Sequence, residues 1–209
     1  MKKKLMTVLA LVLVIAMSVA GTYAYLTSTD TVKNTFTVGD VQIKLDEAKA
    51  NTDGTPVQGA DRVKANEYKL LPGHKYAKDP MVTVLAGSES SYVKMTVTFS
   101  NAAELDAIFD PNGATLTNIF NGYDSTNWIY KGNTKDTENN TRTYEFWYKE
   151  TVAAPTADVA LDALFDSITV PGNITNTQLA TIEGMTITVN AYAIQADGFS
   201  TAEAAWSHF

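Results

Sequence analysis

The 209-residue chain contains no cysteine and only two histidines. Without cysteine there is no disulfide framework, no thiolate metal site and no cysteine nucleophile. Basic residues are also in short supply: 16 Lys and Arg stand against 23 Asp and Glu, a formal net charge of −7. A nucleic-acid binder needs a basic face to displace counterions, so that class is excluded. The catalytic signatures H-E-x-x-H, G-x-S-x-G and G-x-x-x-x-G-K are missing. Gly87-Ser88-Glu89-Ser90-Ser91 has the first glycine of a nucleophile elbow but not the second. His74 follows a turn and reads as a surface turn residue, and His208 is next to last. Asp53, Asp61, Asp110, Asp124 and Asp136 lie in or beside Gly/Asn-rich segments, yet none has the spacing of a calcium loop, so they read as solvated acidic surface. The residues therefore nominate no catalytic group, no metal ligand and no cofactor.

Only one long apolar run is present. Lys2, Lys3 and Lys4 precede Leu5–Ala20, which is apolar apart from Thr7 and Ser18, and Gly21-Thr22-Tyr23-Ala24 follows. This is the layout of a secretory signal cut between Ala24 and Tyr25. A 16-residue helix rises about 24 Å, short of a hydrocarbon core of about 30 Å. Membrane contact is thus expected only through the uncleaved signal. Cleavage removes three lysines and no acid, leaving 13 basic and 23 acidic residues. Self-association of such a chain works against charge repulsion, which salt weakens.

The remainder reads as strands. Val32, Asn34, Phe36 and Val38 share one face of an extended segment, while Lys33, Thr35 and Thr37 share the other. Val41, Ile43 and Leu45 alternate with polar residues after a slip at Gly39-Asp40. Residues 48–66 are polar, carry the Asp53-Gly54 turn signal and predict an exposed loop. Leu71-Pro72-Gly73-His74 predicts a type II turn. Strands are expected over 81–85, 92–100 and 185–196, and a hairpin with arms 128–131 and 141–149 and its tip at 132–140. Asn101 reads as a helix cap, Asp110-Pro111-Asn112-Gly113 as that helix's end, and Thr175–Gln178 and Ser200–Glu203 as capping boxes. Residues 152–166 fit a strand or a short helix. With 10% aromatic residues the chain is not disordered. Tyr144, Phe146 and Tyr148 fall on one strand face and Trp147 on the other, the pattern of core packing and cross-strand pairing. No βα alternation appears. The expected fold is mainly β, an antiparallel jelly-roll-like sandwich with a few short helices, preceded by a cleaved signal peptide. The expected domains are a signal peptide over 1–24, an extended arm over 25–39 and a single jelly-roll-like domain over 40–209.

Several segments resemble a known family. Gly21–Thr27, followed by Asn34-Thr35-Phe36-Thr37-Val38-Gly39, resembles the start of exported Gram-positive proteins processed by a SipW-type signal peptidase. Leu70-Leu71-Pro72-Gly73, Lys78-Asp79-Pro80, Gly87-Ser88, Ser91–Met95 and Asn190–Phe199 continue the pattern in order. Together they look like the TasA/camelysin family. The resemblance implies a jelly-roll protein secreted to the cell surface or biofilm matrix. TasA-like members polymerise by donor-strand exchange, so the implied partner is a second copy of the chain, with matrix polysaccharide or other matrix proteins as further partners. The arm residues Val32, Asn34, Phe36 and Val38 would carry the exchange. The alternative is that the arm folds back as an edge strand of its own domain. The camelysin branch implies a secreted metalloendopeptidase, although no catalytic residue matches. A third expectation is a monomeric surface adhesin that binds through loops 48–66 and 132–141.

Overall fold

The computed structural model describes residues 39–109 and 119–209. The signal peptide, the arm up to Val38 and the Asp110–Gly113 turn lie outside the described residues. Strict alternation in the longest strand organises the fold. In β4 (Ser91–Ser100), Ser91, Val93, Met95, Val97 and Phe99 are buried, and every intervening residue is half-buried. Each large apolar side chain buried this way contributes about 1.5–3 kcal/mol. β4 is central in a four-stranded sheet ordered β5-β6-β4-β9, formed with β5 (Trp128–Asp136), β6 (Thr141–Tyr148) and β9 (Ile187–Gln195). The other layer holds a three-stranded sheet, β1 (Ile43–Asp46), β3 (Met81–Val84) and β7 (Val159–Ala160), in the order β1-β3-β7. It also holds the pair β2 (Lys75–Ala77) and β8 (Ser167–Thr169). Every pairing is antiparallel. Val82 and Val84 of β3, Tyr76 of β2 and Ile168 of β8 share one core with the inward residues of β4 and β6. The layout is sandwich-like, mainly β with short helices, as expected.

The hairpin β5–β6 is longer than the sequence suggests. Residues 132–136, expected at the tip, pair on to Thr141, with a register shift between Tyr130 and Gly132. Tyr144 and Phe146 are buried and Trp147 faces the other side, as the alternation requires. Among the described residues three short helices are bounded: α1 (Ala102–Phe109), α2 (Asn176–Thr181) and α3 (Ala202–Trp206). Thr175 forms a capping box with Gln178. Two caps differ from expectation. Asn101 has φ +55 and does not cap α1; the Asn140 carbonyl and Oδ1 accept from the amides of Ala102 and Ala103 instead. The cap of α3 is Thr201, one residue beyond Ser200. Residues 152–166 form no helix: they contribute a bridge at Val152 and the two-residue β7.

α3 covers the outer face of the four-stranded sheet. Trp206 packs on Trp147 at 6.2 Å, and the Lys94 ammonium lies 4.5 Å from the Trp206 ring and 4.9 Å from Phe209. At Leu71–His74 the predicted turn forms, with Gly73 at φ +77 and the His74 amide bonded to the Leu71 carbonyl. Gly54 is needed for two reasons: its φ is +89, and a Cβ would sit 2.6 Å from the Lys75 carbonyl oxygen.

Candidate functional site

β1 ends at Asp46 and is followed by Glu47, two acids that the core does not expel. Ile43 and Leu45 face inward, but Asp46 and Glu47 are buried too, and buried carboxylates need partners. Loop 48–66 supplies them. Arg62 reaches between two acids: Nε lies 2.5 Å from Asp46 Oδ1, Nη1 lies 2.9 Å from Asp79 Oδ2, and Nη2 donates to the carbonyls of both residues. Lys44 Nζ adds a second cation 2.7 Å from Asp46. Deeper in, Glu47 accepts from Lys78 Nζ at 2.6 Å and from Asn66 Nδ2 at 2.9 Å. The loop backbone joins in, with the Ala48 amide donating to Asp79 and the Ala50 amide to Asn66 Oδ1. Loop 48–66 is mostly exposed, as expected, and is pinned to β1 through Arg62, Asn66 and its backbone. Beside it, the Tyr68 hydroxyl donates to the Ala77 carbonyl. Burial first, and then the charge of Glu47, raise the ionisation of that hydroxyl far above its ordinary value.

This network has a sign with respect to pH. Burial pushes the Asp46 carboxyl up, but hydrogen bonds from Lys44 and Arg62, with their charges, outweigh it and hold the carboxyl below its usual range. Asp106 is held low in the same way, its burial outweighed by Lys135 at 2.9 Å and Arg142 at 2.6 Å. A carboxyl lowered by folding stabilises the fold above its unfolded value of about 3.9. That contribution is lost as pH falls through the folded value. Urea midpoints are therefore expected to drop as pH falls below about 4. Arg62→Gln should flatten that drop, and an unchanged slope in this variant would show that Asp46 does not contribute to it.

The same cluster floors a border that no strand fills among the described residues. β1 and β9 lie side by side without pairing, at the edges of their respective sheets. A cleft of about 310 Å³ opens there, lined by Leu45, Glu47, Asn66, Lys78, Ile187 and Val189 among others. It adjoins a wider one of about 1020 Å³ that shares Asn66, Lys78 and Ile187 and continues past Leu70, Leu179 and Met185. Among the described residues, no strand pairs with the outer edge of β9. On β1, the Gln42 carbonyl is bonded to Leu85 on the β3 side, and Glu47 exchanges bonds with Val63 on the other. Strand alternation then turns the backbones of Ile43 and Leu45 toward the open side. Ile187, Val189, Ala191 and Ala193 pack on the core yet are only partly buried.

The sequence-nominated groups fall as follows. Ala24, Tyr25, Val32, Asn34, Phe36 and Val38 lie outside the described residues, as does Asp110. His74 lies beside Tyr76, whereas His208 contacts Phe199 and bonds back into α3. Three of the acidic-loop residues serve their own turns: Asp53 accepts from Thr55, Asp124 from Thr126 and Asn127, and Asp136 from Glu138 and Asn139. Among the described residues no three His, Asp or Glu come together as a metal would need, and no helix is long and apolar enough to cross a membrane. Glu47, Arg62, Asn66 and Lys78 were not nominated by sequence. Arg62 and Asn66 lie in loop 48–66 and Lys78 in the Lys78-Asp79-Pro80 segment, but nothing in their order marks them as a cluster.

Comparison with known proteins adds one finding. Residues 1–70 match the family model described as camelysin metallo-endopeptidase. The match supports the assignment to the TasA/camelysin family and points to a secreted or surface protein. The metal implied by that description finds no fitting set of donors among the described residues. No curated protein and no solved structure matches the chain.

Proposed function

For a chain whose N-terminal third carries the camelysin-family pattern, we propose a secreted structural subunit of the cell surface or extracellular matrix. It polymerises when residues 25–38 of one copy add as a strand to the open border of the next. The observation that carries this reading is the outer edge of β9. It is nine residues long, without a strand partner among the described residues, and its inward side chains are only partly covered. Val32–Val38 spans seven residues, about 23 Å at ~3.3 Å per residue, which fits along it. Backbone hydrogen bonds supply the affinity, and the alternating apolar side chains fix which face turns inward.

Deleting residues 25–38, or Phe36→Asp, is expected to abolish fibres seen by electron microscopy. The far-ultraviolet spectrum and the thermal transition should be retained. Normal fibres from the deleted form would end the reading. The match to the camelysin metallo-endopeptidase family favours a second reading, a metal-dependent endopeptidase. It requires casein cleavage that EDTA abolishes and stoichiometric bound metal in the purified protein.

A further inference from the structure

We propose that Asn34 is a register key, an inward amide that stops the incoming arm where Lys78 and Asn66 floor the cleft beside Ile187 and Val189. The inference rests on the assembly reading above and adds where along the border the arm comes to rest. The inward face of the arm is apolar at Val32, Phe36 and Val38 and polar only at Asn34. Burying an unpartnered amide is costly, so that position needs a polar counterpart.

Along β9 itself the border offers one only at the start of the strand. Toward the end of β9 its inner face is Ala191 and Ala193, with no polar group. At the start of β9 stand Lys78 and Asn66. Lys78 is buried, and among the described residues its ammonium donates only to Glu47, which leaves donor capacity for the cleft it lines. An amide both accepts and donates, so it joins Lys78, Asn66 and Glu47 without adding charge to a network already balanced. A slip of one residue turns every arm side chain to the wrong face. Slips toward the end of β9 place Asn34 against Ala191 or Ala193 and leave an apolar arm residue nearest the lysine. The register at the start of β9 is therefore favoured over those along its alanine half, much as one buried asparagine fixes the register of a coiled coil.

The chain has no cysteine, so an introduced pair reports register cleanly. Exported protein carrying Thr35→Cys and Thr188→Cys is expected to form a covalent ladder on oxidation of its fibres. The pair Thr35→Cys and Ile194→Cys, six residues along the same strand, should not. Asn34→Leu should raise the concentration needed for polymerisation about tenfold and spread cross-linking to the Ile194→Cys pair. Asn34→Gln keeps an amide and should recover most of the loss. If Asn34→Leu polymerises at the wild-type concentration with cross-links confined to Thr188→Cys, the key is wrong and strand exchange stands. Fibres that cross-link at neither position would remove the arm from β9 and overturn both. Polymerisation of the chain lacking residues 25–38 would overturn the assembly reading itself, and the key with it.

Discussion

Phe120→Ala is expected to destabilise the domain by about 3–5 kcal/mol, the cost of truncating a fully buried aromatic. Phe120 is 1% exposed and joins both layers of the sandwich. Its ring lies 4.7 Å from Phe165, 5.3 Å from Tyr144, 5.7 Å from Phe146 and 5.8 Å from Phe99. The Tyr144 and Phe146 contacts are edge-to-face, which adds to the area term. The backbone beside it is anchored, because Asn121 bonds to Ser167 at the end of the β2–β8 pair. The surrounding shell therefore has little freedom to collapse into the void, and the cost should fall at the upper end of the range. For a domain of this size the melting temperature should fall by about 10 °C. Phe120→Leu keeps most of the volume and should cost well under half as much. Urea titrations of the three proteins check this, with a constant slope as evidence that only stability has changed. A loss below about 1 kcal/mol, an ordinary surface-like value, would show that Phe120 is not the hub of the core.

Much of the fold was legible because a strand buried on one face writes period two into its residues. β4, β6 and β9 are each eight to ten residues long, enough for the alternation to stand out. β2, β7 and β8 have two or three residues, too few to carry a period. They are strands because of their partners: Lys75–Ala77 pairs with Ser167–Thr169 across some ninety residues of chain. The cap of α1 was hidden for a similar reason. Local reasoning chose Asn101, whereas the capping Asn140 comes from the β5–β6 turn. The candidate site was the least legible part. Asp46 looks like the outward, polar phase of β1, and Arg62 looks like one charge in a polar loop. Only the fold brings them to 2.5 Å. For the proposed assembly the sequence offers an alternation alone, Val32, Phe36 and Val38 with Asn34 among them.

The second large effect is expected at the floor of the cleft. Lys78 and Glu47 lie 2.6 Å apart with side chains 9% and 8% exposed, so neither charge is well hydrated. Removing one member of a buried pair strands the other, and Lys78→Met should cost about 3–5 kcal/mol. An exposed pair behaves differently. Lys131–Glu203, with Glu203 66% exposed, should contribute at most about 1 kcal/mol when Glu203 is replaced. Two comparisons separate a stranded charge from lost packing. In the double variant Glu47→Leu with Lys78→Met neither charge remains, and most of the lost stability should return. If packing were the cause, the second substitution would add to the damage. The cost of the single variant should also persist at about 1 M salt, where surface pairs are screened within about 3 Å. Guanidinium cannot make that comparison, being itself a salt, so urea titrations with and without sodium chloride are the measurement. A loss of about 5 kcal/mol is comparable to the whole stability of a marginal domain. Retaining such a pair at the floor of the cleft, where an apolar pair would fold as well, is costly to the isolated subunit. That cost is intelligible if the lysine serves an incoming strand as well as its own fold.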